Sequence, residues 1–307
     1  METILITGGT GLIGSALSIY LIEKGYKVII MSRKPDSKKE NINVEYAAWN
    51  VESMDIDVNA ILRANHIIHL AGAGVVDKRW TDSYKQKIIN SRTNSSKLLT
   101  DTLLSVQHKV KSVISASGIG WYGADKISGH YFTENEPSSK DFLGQTCDAW
   151  EDSISKAEIA GVRVCKVRTG VVLSKKGGAL HEFLKPLRFG IATILGGGHQ
   201  NVSWIHIDDL CRVYHHALSS NIKGSFNAVA PAPVTNKKLI LLLGKQIRGN
   251  AFIPIHVPSF LLKIVMGESS VEVLKSTTVS SDKIRNTGFT FLFPSIESAI
   301  LSFFQKK

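Results

Sequence analysis

Short apolar runs alternate with longer mixed stretches along much of the chain. Uninterrupted runs of aliphatic and β-branched residues are typical of strands buried on both faces of a sheet. Helices are predicted between the runs, one from Leu12 to a stop at Gly25 and others over residues 57–64, 81–105 and 142–160. The predicted strands are residues 4–7, 28–31, 44–49, 66–70, 113–116 and 162–167.

Repeated alternation of strand and helix predicts an α/β fold with a doubly wound, Rossmann-type parallel sheet. The pattern changes after Leu173, where glycines at 177–178 and 196–198 bracket a helical piece, and residues 225–229 form one more predicted strand. We expect a ligand cleft between the sheet and a small C-terminal lobe. The expected sheet domain is residues 1–173, rejoined by residues 204–230, and the lobe is residues 174–203 and 231–307.

Charge and composition narrow the class of protein. Lys and Arg number 37 against 26 Asp and Glu, a net charge of +11 over 307 residues. The basic residues are dispersed, so we expect no nucleic-acid partner, and a basic nucleic-acid-binding surface stays the weaker alternative. No apolar run approaches the ~20 residues of a membrane span. The N-terminus lacks a signal-peptide pattern, and the three cysteines form no CxxC pair. We expect a soluble, cytoplasmic protein with no metal site.

A glycine-rich loop after the first strand is the strongest chemical signal. Residues 7–14 read TGGTGLIG and contain both GxGxxG and GxxGxxG, the latter as Gly8, Gly11 and Gly14. Between a strand and a helix, these glycines allow a tight turn and close approach to a diphosphate at the helix N-terminus. The loop predicts an NAD(P) site in the sheet domain, and a purely structural turn is the alternative.

The end of the second strand indicates which cofactor the loop serves. NAD enzymes place an acidic residue there to bind the ribose 2′-hydroxyl. This strand ends at Ser32, Arg33 and Lys34, and Asp36 and Glu40 lie beyond its end. The Arg33 guanidinium, with Lys34, is suited to a 2′-phosphate. We therefore expect NADP(H) in preference to NAD(H), and the alternative is that both residues cap a solvated turn.

Further motifs continue to the end of the chain. They include HLAG at residues 69–72, Asn90 in a predicted helix and SWIHIDD at residues 203–209. With the glycine loop, these motifs resemble the extended short-chain dehydrogenase/reductase family of NAD(P)-dependent epimerases and dehydratases. More narrowly, the chain looks like the family's subgroup of epimerase family proteins, whose C-terminal domain the region after about Pro254 resembles more loosely. The subgroup's markers are residues 70–73, 77–80, 120–123, 168–173, 227–231 and 234–236.

The resemblance implies ligand contacts in segments that follow the strands. Val202 stands where nucleotide-sugar enzymes of the family carry an Arg, so the substrate stays an unknown small molecule, sugar-like or carbonyl. Family members often dimerise through two long helices, whose counterparts are residues 81–105 and 142–160. The implied cofactor contacts are Thr10, Gly11, Leu12 and Ile13 at the diphosphate, Leu70, Ala71 and Gly72 at the adenosine and ribose, Ser115 beneath the nicotinamide, and Arg168, Thr169 and Gly170 near the nicotinamide end. The substrate side is assigned Trp80, Gln200, Trp204 and His206.

The family's Ser–Tyr–Lys catalytic set is not preserved. The Tyr acts as acid/base in YxxxK on a helix, where the Lys lowers its pKa. Here Cys147 stands at the Tyr position, Glu151 at the Lys position and Gly118 at the Ser position. Each candidate below has a structural alternative: packing for the tyrosine, a strand end for the serine, a small buried residue for the cysteine and a solvated carboxylate for the glutamate. The catalytic candidates are Ser117, Tyr122, Cys147 and Glu151.

Two functions follow from this pattern. The first is an NADP(H)-binding oxidoreductase or epimerase-like enzyme that acts on a small substrate. The second is a non-catalytic NADP-binding regulatory module that acts through a protein partner, suggested by the missing triad.

Overall fold

Strands and helices alternate through the first part of the chain, as the apolar pattern predicts. The fold is that of a computed structural model, which describes residues 1–35 and 44–305. Asp36 and Glu40 therefore lie outside the described residues. Within that part of the chain, the strands are β1 (Thr3–Thr7), β2 (Lys27–Ser32), β3 (Val44–Asn50), β4 (Asp55–Ile56), β5 (His66–His69), β6 (Ser112–Gly118), β7 (Arg163–Thr169), β8 (Val171–Leu173), β9 (Ile191–Leu195), β10 (Asn201–Val202), β11 (Trp204–His206), β12 (Gly224–Ala228), β13 (Val234–Thr235) and β14 (Ile253–Val257).

The helices differ from the prediction mainly at their ends. The helix expected over residues 142–160 ends at Ser155, and a 3-10 helix at Lys156–Ala160 continues it to Gly161, which is left-handed with φ 75°. The α-helices of the described residues are α1 (Leu12–Glu23), α2 (Val58–Arg63), α3 (Asp82–Ser105), α4 (Phe142–Ser155), α5 (Gly178–Leu187), α6 (Ile207–Ser219), α7 (Asn236–Arg248), α8 (Ser259–Met266), α9 (Ser270–Leu274), α10 (Asp282–Arg285) and α11 (Ile296–Phe304).

The strands of the first part of the chain form one large sheet. Its strand order is β12-β7-β6-β5-β1-β2-β3-β4, and every neighbouring pair is parallel except β3 with β4. The order runs outward from β1 in both directions, which confirms the predicted doubly wound, Rossmann-type sheet. Strand β12 returns residues 224–228 to the sheet beside β7.

Both faces of the sheet are buried under helices. Along β1, Ile4 and Ile6 pack into a cluster with Leu17 of α1, whereas Leu5 packs into a second cluster with Leu99 of α3. Successive side chains of a strand point to opposite faces, so a strand covered on both faces is apolar at every position. This burial explains why the strands appear in the sequence as unbroken apolar runs.

A smaller lobe is built from later parts of the chain. Strand β9 pairs in parallel with β14, and α5, α7 and α11 enclose a third cluster that includes Leu180, Leu239 and Ile300. The limits of the two domains stay a prediction.

The described residues include no helix that is both long and apolar enough to cross a membrane. Cys147, Cys165 and Cys211 are buried free thiols. Helices α3 and α4, the counterparts of the family's dimerisation helices, pack against each other within one chain. The homodimer stays a prediction.

Candidate functional site

The loop between β1 and α1 needs glycine for steric reasons. Gly8 has a left-handed backbone with φ 69°, and a Cβ there would lie 2.9 Å from the carbonyl carbon of Leu70. At Gly14 a Cβ would lie 2.4 Å from the carbonyl oxygen of Gly8. The first turn of α1 can therefore pack on the loop only if residue 14 has no side chain. Between these two glycines, Thr10 is exposed.

The N-terminus of α1 presents backbone donors to a ligand. Ser15 N–H donates the first helical hydrogen bond to the Gly11 carbonyl at 2.9 Å, so the N–H groups of Leu12, Ile13 and Gly14 precede the helical ladder. No side chain caps this helix, and its first turn contains no acidic residue. The free N–H groups and the positive end of the helix dipole fit the diphosphate of a dinucleotide.

The end of β2 lies beside this loop, because β2 is the parallel neighbour of β1. Ser32 is buried, and its hydroxyl accepts a hydrogen bond from Lys34 N–H at 3.1 Å. The side chains of Arg33 and Lys34 are exposed. An exposed guanidinium at this edge can form paired hydrogen bonds with a phosphate.

The segment after β5 forms hydrogen bonds with the last residue of β1. The Thr7 hydroxyl oxygen accepts hydrogen bonds from Leu70 N–H at 3.2 Å and Ala71 N–H at 3.3 Å, and it lies 2.7 Å from Nδ1 of His69. Gly72 follows and is exposed. Leu70 and Ala71, two of the three residues predicted to line the adenosine and ribose, thus lie against the glycine loop.

Glu151 is the centre of a buried network. Its Oε1 accepts hydrogen bonds from Ser117 Oγ at 2.7 Å and Arg168 Nε at 2.8 Å. Its Oε2 accepts from Arg168 Nη2 and Ser225 Oγ, both at 3.0 Å. The alternative of a solvated Glu151 is therefore wrong, because the side chain is buried among donors. Strand β6 runs through Gly118, so Ser117 lies within the strand.

Arg168 is surrounded by hydrogen-bond acceptors and an aromatic ring. Besides both carboxylate oxygens of Glu151, its Nη1 donates to the Tyr122 hydroxyl at 3.1 Å and to the Glu134 carbonyl at 3.4 Å. The guanidinium also lies 3.6 Å from the centre of the Trp121 ring and is 3% exposed. The structure thus joins Arg168, predicted as a cofactor contact, with three of the four catalytic candidates.

Tyr122 and Cys147 are both held in their neutral forms. The Tyr122 hydroxyl donates to Asn227 Oδ1 at 2.7 Å, and burial raises the pKa of Tyr122 to about 12. Cys147 lies outside the Glu151 network, with Sγ 3.6 Å from the Gly118 carbonyl oxygen. Burial raises the pKa of the Cys147 thiol to about 11. Neither group is a base near neutral pH.

The remaining predicted cofactor contacts lie in the middle of β6 and at the end of β7. Ser115 is buried, and its hydroxyl donates to the Ala116 carbonyl at 3.0 Å. The Thr169 hydroxyl donates to the Val167 carbonyl at 3.2 Å. A Cβ at Gly170 would lie 2.5 Å from the Ser203 carbonyl oxygen, so glycine allows β7 to approach that segment.

The substrate-side residues are all buried and make packing contacts. Gln200 Nε2 donates to two carbonyls, the Trp204 indole donates to the Ala232 carbonyl, and the Trp80 indole donates to the Val75 carbonyl. His206 is stacked on Phe303, and burial lowers the pKa of its imidazole to about 4. The structure does not join these four side chains to the Glu151 network by hydrogen bonds, and the substrate-side assignment stays a prediction.

Arg92 was missed by the sequence reasoning. It lies in α3 on the buried face that also carries Ile88 and Leu99, and it is 9% exposed. An arginine at an apolar position of a predicted helix was the signal that could have identified it. Within the described residues, no group of three or more His, Cys, Asp or Glu side chains is arranged to hold a metal ion.

Comparison with known proteins extends the resemblance over nearly the whole chain. The model of the NAD dependent epimerase/dehydratase family matches residues 4–228, and a domain of unknown function, DUF1731, matches residues 257–302. An epimerase family protein of Staphylococcus haemolyticus is 34% identical over 306 residues, which cover 97% of this chain and 98% of that protein.

Two solved structures are similar in fold. Human epimerase family protein SDR39U1, crystallised with NADPH, has a TM-score of 0.84 and 27% identity, with 98% of this chain and 99% of that chain covered. A nucleoside-diphosphate sugar epimerase from Corynebacterium glutamicum has a TM-score of 0.75 and 32% identity. In that comparison, 98% of this chain and 57% of the other are covered.

Proposed function

Because the chain belongs to the NAD dependent epimerase/dehydratase family, we propose that it is an NADP(H)-binding, oxidoreductase or epimerase-like enzyme that acts on a small substrate. The observation that carries the proposal is the loop between β1 and α1. Its glycines leave no room for a side chain at residues 8 and 14, and the N-terminus of α1 that it opens is uncapped. When bound, the nicotinamide cofactor would supply or accept a hydride.

The chain's own residues would bind and orient that cofactor. Backbone N–H groups of Leu12 and Ile13 would hold the diphosphate. Thr7 positions Leu70 and Ala71 through its two accepted hydrogen bonds. The Glu151 network fixes the end of β6 against β7 through Ser117.

Preference for NADP(H) over NAD(H) is supported by Arg33, which is exposed at the end of β2. It is also supported by the human relative, which was crystallised with NADPH. We expect tighter binding of NADPH than of NADH in fluorescence titrations. Arg33→Ala should weaken NADPH binding about tenfold or more, because charge-assisted hydrogen bonds to the phosphate are lost. NADH binding should not change.

Lys34→Ala is the comparison variant. Lys34 is also a predicted contact of the 2′-phosphate but lacks the planar fork of donors, so its loss should weaken NADPH binding less than the loss of Arg33. Equal affinities of the wild-type protein for NADPH and NADH would overturn the preference. An unchanged affinity ratio in Arg33→Ala would remove Arg33 from this role.

Among the four catalytic candidates, Cys147 is the one that lies outside the Glu151 network. Ser117 donates its proton to Glu151, and Tyr122 donates its proton to Asn227. The Cys147 thiol also donates, to the Gly118 carbonyl at 3.6 Å, but S–H is a weak donor, and burial raises the pKa of the thiol to about 11. We therefore assign the proton-donor role to Cys147, whose hydrogen bond is the weakest of the three. Cys147→Ala should abolish NADPH oxidation with any carbonyl substrate that the wild-type protein turns over, while NADPH affinity stays the same.

A non-catalytic NADP-binding module is the second candidate. One observation favours it: Ser117, Tyr122 and Glu151 all form hydrogen bonds with other side chains of the protein. Groups bonded in this way are not free to act on a substrate. It predicts NADPH binding without oxidation across a panel of carbonyl compounds and sugars, together with a protein partner recovered by affinity capture. NADPH turnover that is lost in Cys147→Ala would reject it.

A further inference from the structure

A guanidinium lies buried against Gly72, in the segment that follows β5. Arg92 is 9% exposed, its Nη1 donates to the Ile88 carbonyl at 2.9 Å, and its Cζ lies 4.9 Å from the centre of the Trp150 ring. In the described part of the chain, no carboxylate forms an ion pair with it. One carbonyl and one ring face satisfy only part of a group that has five N–H donors.

Such a cation is unusual, because a buried charge is normally paired. Burial lowers the pKa of Arg92, and the two nearby groups that oppose this shift are Cys147 and Tyr84, which are both neutral near pH 7. Burial of this guanidinium therefore costs desolvation free energy that no carboxylate of the described residues offsets. An anion brought by a ligand would complete the site.

Two nitrogens of Arg92 stay accessible, because Nε and Nη2 have no hydrogen-bond partner among the described residues and are not among the fully enclosed unpartnered atoms. A Cβ added at Gly72 would lie 3.1 Å from Arg92 Cζ and 3.3 Å from its Nε, and Gly72 itself is exposed. Gly72 therefore packs directly on the Arg92 side chain, and a side chain at residue 72 would crowd it. Gly72 follows β5, and Cys147 lies against Gly118 at the end of β6. These are the carboxyl ends of β5, which neighbours β1, and of β6, which neighbours β5, at the edge where ligands of such sheets bind.

We propose that Arg92 binds an oxyanion, a carboxylate or phosphate group, of the ligand that enters the cleft at the carboxyl ends of β5 and β6. This inference deepens the proposed function and rests on it for the position of the cleft. The oxyanion belongs either to the substrate or to the cofactor, and both sources offer the same planar pairing with a guanidinium.

The experiment compares wild-type protein with Arg92→Gln, which keeps a polar side chain and removes the charge. First, NADPH is titrated by fluorescence into both proteins. Second, malonate and inorganic phosphate are titrated into both proteins at saturating NADPH, and the thermal unfolding midpoint is recorded. Saturation with NADPH occupies the diphosphate site at the glycine loop, so a remaining response to anions reports a different site.

A loss of NADPH affinity of about tenfold or more in Arg92→Gln assigns the oxyanion to the cofactor. Unchanged NADPH affinity, with an anion-dependent rise of the midpoint in wild type that disappears in Arg92→Gln, assigns it to the substrate. Unchanged NADPH affinity together with the same anion response in both proteins would overturn the inference. Failure of wild type to bind NADPH at all would reject the proposed function, and the anion titration without NADPH would still test Arg92.

Gly72→Ala provides a second variant if Arg92→Gln does not fold. Gly72 does not have a left-handed backbone, so alanine is compatible with its conformation, and the added methyl displaces the Arg92 side chain while its charge is retained. Its anion response should fall as in Arg92→Gln, and a full response would count against the site. Arg163→Gln is the matched control, because Arg163 donates to carbonyls at the end of α6, outside the cleft.

Discussion

Two buried arginines, Arg168 and Arg92, lie near the carboxyl ends of the central strands and differ in their partners. Arg168 is 3% exposed and makes hydrogen bonds with both oxygens of Glu151, the Tyr122 hydroxyl and a carbonyl. Arg92 is 9% exposed and makes one hydrogen bond, to the Ile88 carbonyl. Each packs on a tryptophan ring. Among the described residues, the same side chain uses four of its five N–H donors at Arg168 and one at Arg92.

This difference separates a structural group from one available to a ligand. Glu151, which stands at the family's lysine position, pairs with Arg168, and four of the five N–H donors of Arg168 already bind acceptors of the protein. Arg92 was not among the predicted site residues, yet its Nε and Nη2 keep unused, accessible donors in the described structure. Free hydrogen-bonding capacity identifies the candidate better here than correspondence to a family position does.

The largest expected loss of stability comes from breaking the ion pair between Arg168 and Glu151. Arg168→Met should lower the free energy of unfolding by about 3–5 kcal/mol, because it leaves the Glu151 carboxylate buried without its cation. Urea unfolding followed by far-ultraviolet circular dichroism measures this.

The control replaces both partners of the pair. Arg168→Met combined with Glu151→Leu removes the unpaired charge, so much of the lost stability should return. A double variant as unstable as the sum of the two single variants would show that the pair itself contributes little, and the contrast with Arg92 would then fail.

A smaller loss of stability is expected when the Tyr122 hydroxyl, which belongs to the same network, is removed. Tyr122→Phe removes the donor to Asn227 Oδ1 and an acceptor of Arg168, so it should cost about 1–2 kcal/mol of unfolding free energy. Tyr84→Phe is the matched change near Arg92, where the hydroxyl donates to the Gly74 carbonyl. We expect it to cost less in the same urea titration, because it breaks one hydrogen bond rather than two. Equal losses of unfolding free energy in the two variants would show that the hydrogen bond between Tyr122 and Arg168 adds no stability.

The local pattern predicts the glycine loop and the sheet, but not the pairing of the buried charges. Residues 7–14 and the apolar strands are contiguous in sequence, so spacing alone identifies them. Glu151, by contrast, meets Arg168 from another element and Ser225 from a strand 74 residues away. Such pairings depend on strand order and helix packing, which periodicity does not encode. For the same reason the pairing of β9 with β14 was not predicted.

The unpaired cation should also affect acid stability through His69. Burial, and then the charge of Arg92, lower the pKa of His69 to about 3. The Thr7 hydroxyl accepts from two backbone N–H groups, which leaves its own proton for His69 Nδ1 and favours a neutral imidazole. Below the unfolded pKa of about 6.5, the unfolded chain takes up a proton that the folded chain does not. Stability should therefore fall as pH decreases from about 6.5 toward 3, by on the order of 1 kcal/mol per pH unit.

Arg92→Met removes the nearby positive charge, so the folded pKa of His69 should rise and less stability should be lost on acidification. Unfolding free energies at pH 7 and at about pH 4.5 in both proteins measure the difference. Burial also lowers the pKa of His206, but both proteins keep that residue and its contribution cancels. An identical loss in the two proteins would show that the charge of Arg92 does not reach His69.

The smallest expected effect is that of Arg92→Met on stability at neutral pH, in the absence of ligand. Methionine keeps an unbranched apolar chain against Trp150, and the substitution removes a buried charge that no carboxylate compensates. The gain from relieved desolvation and the loss of the cation–π contact oppose each other, so the free energy of unfolding should change by less than about 1 kcal/mol. The same substitution at Arg168 should cost several times more. If Arg92→Met instead destabilises the ligand-free protein as strongly as Arg168→Met does, Arg92 is a structural residue, and its unused donors carry no information about a ligand.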